Sequence, residues 1–407
     1  MRRILPPLLI LIVGLPQLSE TLYTPALPDI GHTLGVSDSS VEYTLTIFLA
    51  GFAAGILFWG RLSDRLDRKP CLLAGIFIYI LGCIGCYYSS SIELLMISRF
   101  IQAFGGSTGS VLGQAITRDA FQGSERNKVF SLIGSALAFS PAIGPPIGGI
   151  IDQASEWSYI FLFLTLLGII TFIATYSRLP ETHFPSSAHA ISLRSVAKRL
   201  FSDRRVLAFG FVVAASNGII FSFYAEGSFY LIELLGLKPV TYGICFLGIA
   251  SAGVFGGWLS KKMQYSTTSI IILKWGINVL VLGTFFFMGI ILLLSLYEHV
   301  PQFIFIMLTI GSMMITMLGI TMITPNALSL ALEEYRYAIG TTSSLFGFFY
   351  YTCAALFTLG MGALHNGTLF PMPIYFGVIA FLLWVVFSRW IMKDLKTIEG
   401  EKSKNRH

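Results

Sequence analysis

Apolar residues run along this chain in blocks of about twenty, each closed by a polar stretch, and that is the length a helix needs to cross a bilayer at 1.5 Å per residue. Twelve blocks can be marked. The first six are 5–24, 41–59, 71–88, 94–116, 129–151 and 158–176; the second six are 206–231, 242–259, 270–296, 302–323, 338–361 and 373–391. The connections are short except for 177–205, which holds Pro180, Pro185, a Ser-Ser-Ala-His stretch and a basic run from Arg194 to Arg205. It reads as a linker between six-helix halves at 1–176 and 206–391, with a tail at 392–407. The pattern predicts an all-α membrane protein with twelve transmembrane helices.

Composition agrees. Of 407 residues, 55% are hydrophobic and 12% charged, with mean hydropathy +0.75. Soluble domains carry roughly 25% charged residues, so a soluble enzyme, a disordered chain and a nucleic-acid-binding domain are excluded. The net charge of +6 has a topological explanation instead. Of the 27 Lys and Arg residues, 24 fall on one side of the predicted bundle, against Lys238 on the other; Arg99 and Lys274 lie inside helices. The positive-inside rule then puts both termini in the cytoplasm. Met1-Arg2-Arg3 and the apolar stretch after it resemble a secretion signal, but no small-residue cleavage site follows, so this is read as a retained first helix. The five cysteines lie in or beside apolar runs. Cys83 and Cys86 have CxxC spacing without a second pair, which fits small core hydrophobes better than a metal or redox site.

The halves echo one another. Gly35-Val36-Ser37 before the second helix matches Gly236-Leu237-Lys238 before the eighth, and Trp59-Gly60-Arg61-Leu62-Ser63 is loosely repeated at Gly256-Gly257-Trp258-Leu259-Ser260. Parallel-related six-helix halves are a building plan of secondary transporters. Between the second and third helices lies Gly60-Arg61-Leu62-Ser63-Asp64-Arg65-Leu66-Asp67-Arg68-Lys69. Gly60 allows two helices to approach, and Asp64, with Arg65 and Arg68 beside it, can form and break a charged latch. The fourth helix carries Arg99-Phe100-Ile101-Gln102-Ala103-Phe104-Gly105-Gly106, and the fifth carries Ser140-Pro141-Ala142-Ile143-Gly144-Pro145-Pro146-Ile147-Gly148-Gly149. Proline bends a helix and glycine opens a close-packed face.

These three stretches resemble the signature loop, the R-x-x-Q-G-x-G motif and the antiporter motif of the major facilitator superfamily. The departures are Asp67, Ala103 and Ser140, each standing where the family has glycine. Tyr23-Thr24-Pro25-Ala26-Leu27-Pro28, Arg118-Asp119-Ala120-Phe121 and Thr324-Pro325-Asn326-Ala327 are similar to drug:proton antiporters of the bicyclomycin-resistance (Bcr/CflA) type. The resemblance implies the major facilitator fold, with Gly60, Asp64, Arg65 and Arg68 as a cytoplasmic gate. It assigns Pro141, Gly144, Pro145, Gly148 and Gly149 to a leak-proof packed interface. It also implies export of small molecules in exchange for protons, with the proton gradient in place of a cofactor.

Few acids lie within or near helix interiors. Glu20 sits ~22 Å along the first helix, and Arg99 lies about 8 Å from the opposite edge of the core, so their depths match and pairing is possible. Burial and a nearby guanidinium act on a carboxyl in opposite senses, a condition under which a proton can be exchanged. The resembling family carries an acid at the position of Thr21, one residue further on. Glu226 in the seventh helix, among aromatic residues and beside Gly227, is the second candidate, and the sequence leaves open which of the two carries the proton. Gln102, Asn217 and Asn326 are polar residues that can face a cavity. Glu42 reads as a charge at a helix N-terminus.

The expectation is a monomeric, proton-coupled exporter of small amphipathic molecules in a bacterial inner membrane, with lipid, substrate and protons as partners and no nucleic acid. The alternatives are a nutrient or siderophore transporter of the same fold, or a non-transporting sensor or enzyme. No nucleophile, base or metal set converges in the sequence, so an enzyme is not expected.

Overall fold

Without water in the hydrocarbon core, each backbone N–H and C=O must be satisfied inside its own segment, and a helix does this. The computed structural model describes residues 5–63, 65–182, 193–297 and 299–391. The first half comprises α1 (Leu5–Thr21), α2 (Asp38–Leu62), α3 (Arg68–Tyr87), α4 (Ile92–Ala120), α5 (Gly123–Ala154) and α6 (Ser158–Arg178). The second comprises α7 (Arg204–Ser228), α8 (Pro239–Met263), α9 (Ser269–Leu294), α10 (Gln302–Ala331), α11 (Ile339–Leu364) and α12 (Pro371–Val386). Among the described residues, eleven helices are apolar and long enough to cross a membrane. The remaining helix, α4, has 29 residues, and its low hydropathy comes from Arg99, Gln102 and other polar or small residues that it buries.

The helices outrun their apolar blocks because the end turns lie where polar side chains are tolerated. Thus α5 starts at Gly123 rather than 129, through exposed Ser124, Glu125 and Arg126. The basic part of the linker is also helical. In Leu193–Ser202, Val196 and Leu200 are buried four residues apart while Arg194, Lys198 and Arg199 face outward, and the helix packs on α7 and α11.

The repeat is structural as well as sequential. Gly35 and Gly236, the paired glycines ahead of α2 and α8, both take left-handed backbone, with φ of 65° and 68°. A side chain is strained there, which explains why the echo keeps glycine at both places. The contacts repeat too. Within the first half α1 packs on α4, α5 and α6, α2 on α4, α3 on α4 and α6; six helices later, α7 packs on α10, α11 and α12, α8 on α10, α9 on α10 and α12. The halves meet through α2 with α11 and α5 with α8, a pair of contacts that the same shift exchanges. The outer helices show apolar residues, among them Phe77, Ile170, Leu282 and Phe381, as a lipid-facing surface does.

The α2–α11 contact is antiparallel and continuous. A side chain on Gly362 would meet Glu42 and Tyr43, Phe52 meets Tyr351 at 4.7 Å between ring centroids, Gly347 lies against Ile56, and Gly60 lies against Ser344. From residue 42 to 60 this is about 27 Å of helix, nearly the thickness of the hydrocarbon core.

Candidate functional site

Arg99 is fully buried in α4. Its guanidinium lies 3.9 Å from the ring centre of Tyr23, 4.2 Å from Phe48 and 5.8 Å from Phe161. Nη1 donates to the Ser19 carbonyl at 3.2 Å and to Gln102 Oε1 at 2.6 Å. Gln102 in turn donates from Nε2 to Cys83 Sγ at 3.1 Å, so this cysteine is more than filling. Ser19 and Tyr79 share a 2.6 Å hydroxyl hydrogen bond that holds α1 to α3. Among the described residues, Arg99 Nε and Nη2 have no hydrogen-bond partner. Aromatic faces stabilise a cation that has left water, and here they surround the guanidinium for which equal depth had made pairing with Glu20 possible.

Glu20 is 3% exposed, with Oε1 unpartnered, and no ion pair within 4.0 Å joins it to Arg99 among the described residues. The reason is helical phase. The turn that faces Arg99 presents the Ser19 carbonyl, and the next side chain points about 100° away. Glu20 comes within electrostatic reach of Tyr224, Tyr350 and Tyr351 of the second half. Thr21, where the resembling family has its acid, bonds back to the Gln17 carbonyl at 3.3 Å and lies against Gly144. In this chain the acid stands at position 20, and Thr21 takes the face toward α5.

Glu226 occupies a different place. Helix α7 runs on through Gly227 to Ser228 and then widens into a π turn, Phe229–Leu234, so the glycine does not break it. Glu226 is 1% exposed, and its Oε2 lies 2.9 Å from His365 Nδ1. Two further acids converge on this ring: Glu42 Oε1 at 3.4 Å from Nδ1, and Asp38 Oδ2 at 3.2 Å from Nε2. The hydrogen bond to Glu226, reinforced by the charges of Glu226 and Asp38, makes His365 more basic than a free histidine, against the opposing pull of burial. Glu42 is wholly buried rather than a solvated helix-terminal charge, because Gly362 lets the end of α11 close over it. Sequence reading missed His365. The available signal was Asp38 and Glu42 at four-residue spacing, two acids on one helix face that need a partner.

At the other end of the bundle, a side chain on Gly60 would strike Ser344 of α11, so the glycine sits where the halves touch. Asp64 lies outside the described residues. Arg65 is exposed. Arg68 donates to the Ser63 carbonyl at 2.7 Å and pairs with Asp119 at 3.2 Å, which explains the Arg-Asp-Ala-Phe stretch after α4. Glu181 accepts from the backbone N–H groups of Arg68 and Lys69 at 3.1 Å each, tying the start of α3 to the end of α6.

The Pro/Gly stretch of α5 faces two ways. Gly144 and Gly148 lie against Thr21, the last residue of α1, and Leu22 just after it, while Gly149 lies against Pro239 at the start of α8. Pro145 and Pro146 abut Gly243 of α8, and helix runs unbroken through Pro141, Pro145 and Pro146. Asn217 is half-buried and returns its Nδ2 to the Val213 carbonyl at 2.8 Å. Asn326 donates to Ser260 Oγ at 3.0 Å, joining α10 to α8.

A profile described as Major Facilitator Superfamily matches residues 9–358. An uncharacterized transporter of Rickettsia bellii is 34% identical over 378 residues, covering 92% of this chain and 93% of its own. A bicyclomycin resistance protein homolog of Haemophilus influenzae is 26% identical over 389 residues, covering 94% and 95%. The xylose transporter XylE from E. coli, solved in a partially occluded inward-open conformation, superposes with a TM-score of 0.74 at 12% identity, over 95% of this chain and 97% of its own. Its likeness concerns the fold alone. Motifs, repeated bundles and relatives agree: the chain belongs to the major facilitator superfamily, as a multi-pass membrane transporter with a small-molecule substrate.

Proposed function

We propose that this transporter exports small amphipathic molecules in exchange for protons, with Glu20 as the coupling carboxylate. The observation that carries the reading is the position of Glu20: buried, partly unpartnered, close to the Arg99 cage and within reach of three tyrosines from the other half. An acid held between two bodies is protonated or ionised according to how they sit, and that dependence links a proton to a conformational equilibrium. A cationic or polar substrate group competes for the same carboxylate, while the aromatic residues around it accept an apolar body.

In this reading the bundles 1–176 and 206–391 rock as units around the seam. The basic end, with both termini, faces the cytoplasm across a bacterial inner membrane. Gly60, Asp64, Arg65 and Arg68 gate that end, and the α5 stretch from Pro141 to Gly149 keeps the seam dry. The protein works as a monomer, needs no cofactor beyond the gradient, and is not an enzyme. Names among its relatives that refer to bicyclomycin resistance support drug-like cargo.

The test uses inverted vesicles with an imposed pH gradient and a panel of amphipathic cations. Wild type accumulates at least one of them, and Glu20→Gln, which mimics the protonated acid, binds it but does not accumulate it. Substrate-induced proton release from the detergent-solubilised variant that equals wild type overturns the assignment to Glu20.

A further inference from the structure

We propose that Glu42, Glu226 and His365 form a binding site for a divalent transition metal of the Zn2+ class, which joins the two halves at the end opposite the basic loops. Glu42 comes from α2 of the first half; Glu226 and His365 come from α7 and the end of α11 in the second. One ligand atom from each lies within 4.8 Å of the others. Ligands about 2.0–2.2 Å from a tetrahedral zinc ion stand roughly 3.3 Å apart. Two edges of the triangle, 2.9 Å from Nδ1 to Glu226 and 3.4 Å from Nδ1 to Glu42, fall on either side of that value.

Orientation strengthens the case. Asp38 takes the other ring nitrogen, Nε2, at 3.2 Å. A carboxylate there holds the proton of a neutral imidazole on Nε2 and turns the Nδ1 lone pair inward, the outer-sphere arrangement by which proteins orient a histidine ligand. That lone pair then faces two carboxylates. Such a convergence requires a cation between them, a proton or a metal ion. Among the described residues no donor from outside the cluster reaches either Glu42 oxygen, at 0% side-chain exposure. A carboxylate in that state is costly, and an added ion satisfies it. Phe229, 5.6 Å from the imidazole centre, closes one side and fixes the ring. Two acids and one histidine suit zinc, which accepts oxygen and nitrogen ligands, and leave its fourth position to water.

Because the ligands come from both halves, separating the halves at this end takes the site apart. A bound ion therefore favours the state closed here. That consequence for transport rests on the proposed function; the binding does not.

The test is a calorimetric titration of Zn2+ into tag-free, detergent-solubilised protein at pH 7.5. One ion binds per chain, and Glu42→Gln and His365→Ala each weaken binding by at least ~10-fold; Asp38→Asn, removing an outer-sphere partner, weakens it by about 10-fold or more. His32→Ala, which removes an exposed histidine outside the ligand set, changes binding by less than either ligand substitution. Where a variant does not fold, wild type alone decides: Zn2+ raises its melting midpoint and Mg2+ at the same concentration does not. Absence of Zn2+ binding, binding that survives both ligand substitutions, or equal stabilisation by Mg2+ overturns the site and leaves a proton as the seam's only cation.

Discussion

The Arg99 cage makes a prediction whose size follows from its geometry. Phe48 and Tyr23 contribute ring faces at 4.2 and 3.9 Å from the guanidinium carbon. A cation against an aromatic face out of water gains about 2 kcal/mol, and a hydrogen bond to a charged group contributes about 1.5–3 kcal/mol. Arg99→Lys keeps the charge but loses the flat fork that meets the rings while reaching both Ser19 and Gln102. The expected loss is about 2–4 kcal/mol from one impaired ring contact and one lost hydrogen bond. Phe48→Leu removes one face and a little buried area, for about 1–2 kcal/mol.

The informative quantity is the coupling of ring and cation. In a cycle that pairs Phe48→Leu with Arg99→Met, which removes the cation, the double variant loses less than the sum of the single ones, by about 1–2 kcal/mol. Equilibrium unfolding in mixed micelles, followed by tryptophan fluorescence, measures all four proteins. Independent sites add to within about 0.3–0.5 kcal/mol, so a coupling below that limit refutes the cage as an energetic unit. The buried arginine would then need another explanation, with Glu20 the first place to look.

Two further perturbations test the packing. Gly148→Ala puts a methyl group onto the Leu22 backbone, two residues beyond Glu20, and overpacking of this kind costs about 1–3 kcal/mol; the melting midpoint falls and transport slows, and unchanged values mean that α1 and α5 are not in close contact. Asn326→Ala removes the α8–α10 hydrogen bond and leaves Ser260 short of a partner, at about 1–2 kcal/mol, so thermal stability falls while substrate affinity stays at the wild-type level; altered affinity would place Asn326 in the binding site instead.

Much of the fold was legible because a bilayer imposes one length and one backbone solution on every span. Even the paired glycines ahead of α2 and α8 announced the repeat, since a left-handed turn leaves little choice of residue. The amphipathic helix at Leu193–Ser202 was harder to see, because its basic face outweighed the buried Val196 and Leu200. The candidate site was legible by depth and not by direction. Counting rise along α1 and α4 put Glu20 level with Arg99, but rotation about the axis decides which atom meets the guanidinium, and there the Ser19 carbonyl does so. The cluster at Glu42 was hidden for another reason. Its histidine is more than 300 residues away in the chain, and only the α2–α11 register, permitted by Gly362, brings them together.

That register also explains how one helix pair can serve two opposed ends. Along α2 and α11 the contact changes chemistry with depth: Gly60 on Ser344 at the basic end, Phe52 on Tyr351 midway, and Glu42 and Asp38 on His365 at the far end. Close packing at a glycine is lost within about an ångström of separation and responds to no ion. Aromatic contact tolerates sliding, because offset and tilted rings are both favourable. The far end differs in kind, since its strength depends on the cations it holds. In the proposed rocking movement about the aromatic middle, the Gly60–Ser344 contact is exchanged for one whose strength depends on a cation. Under the two proposals above, protons or a metal ion at the far end bias that exchange because they bind the state closed there more tightly than the other.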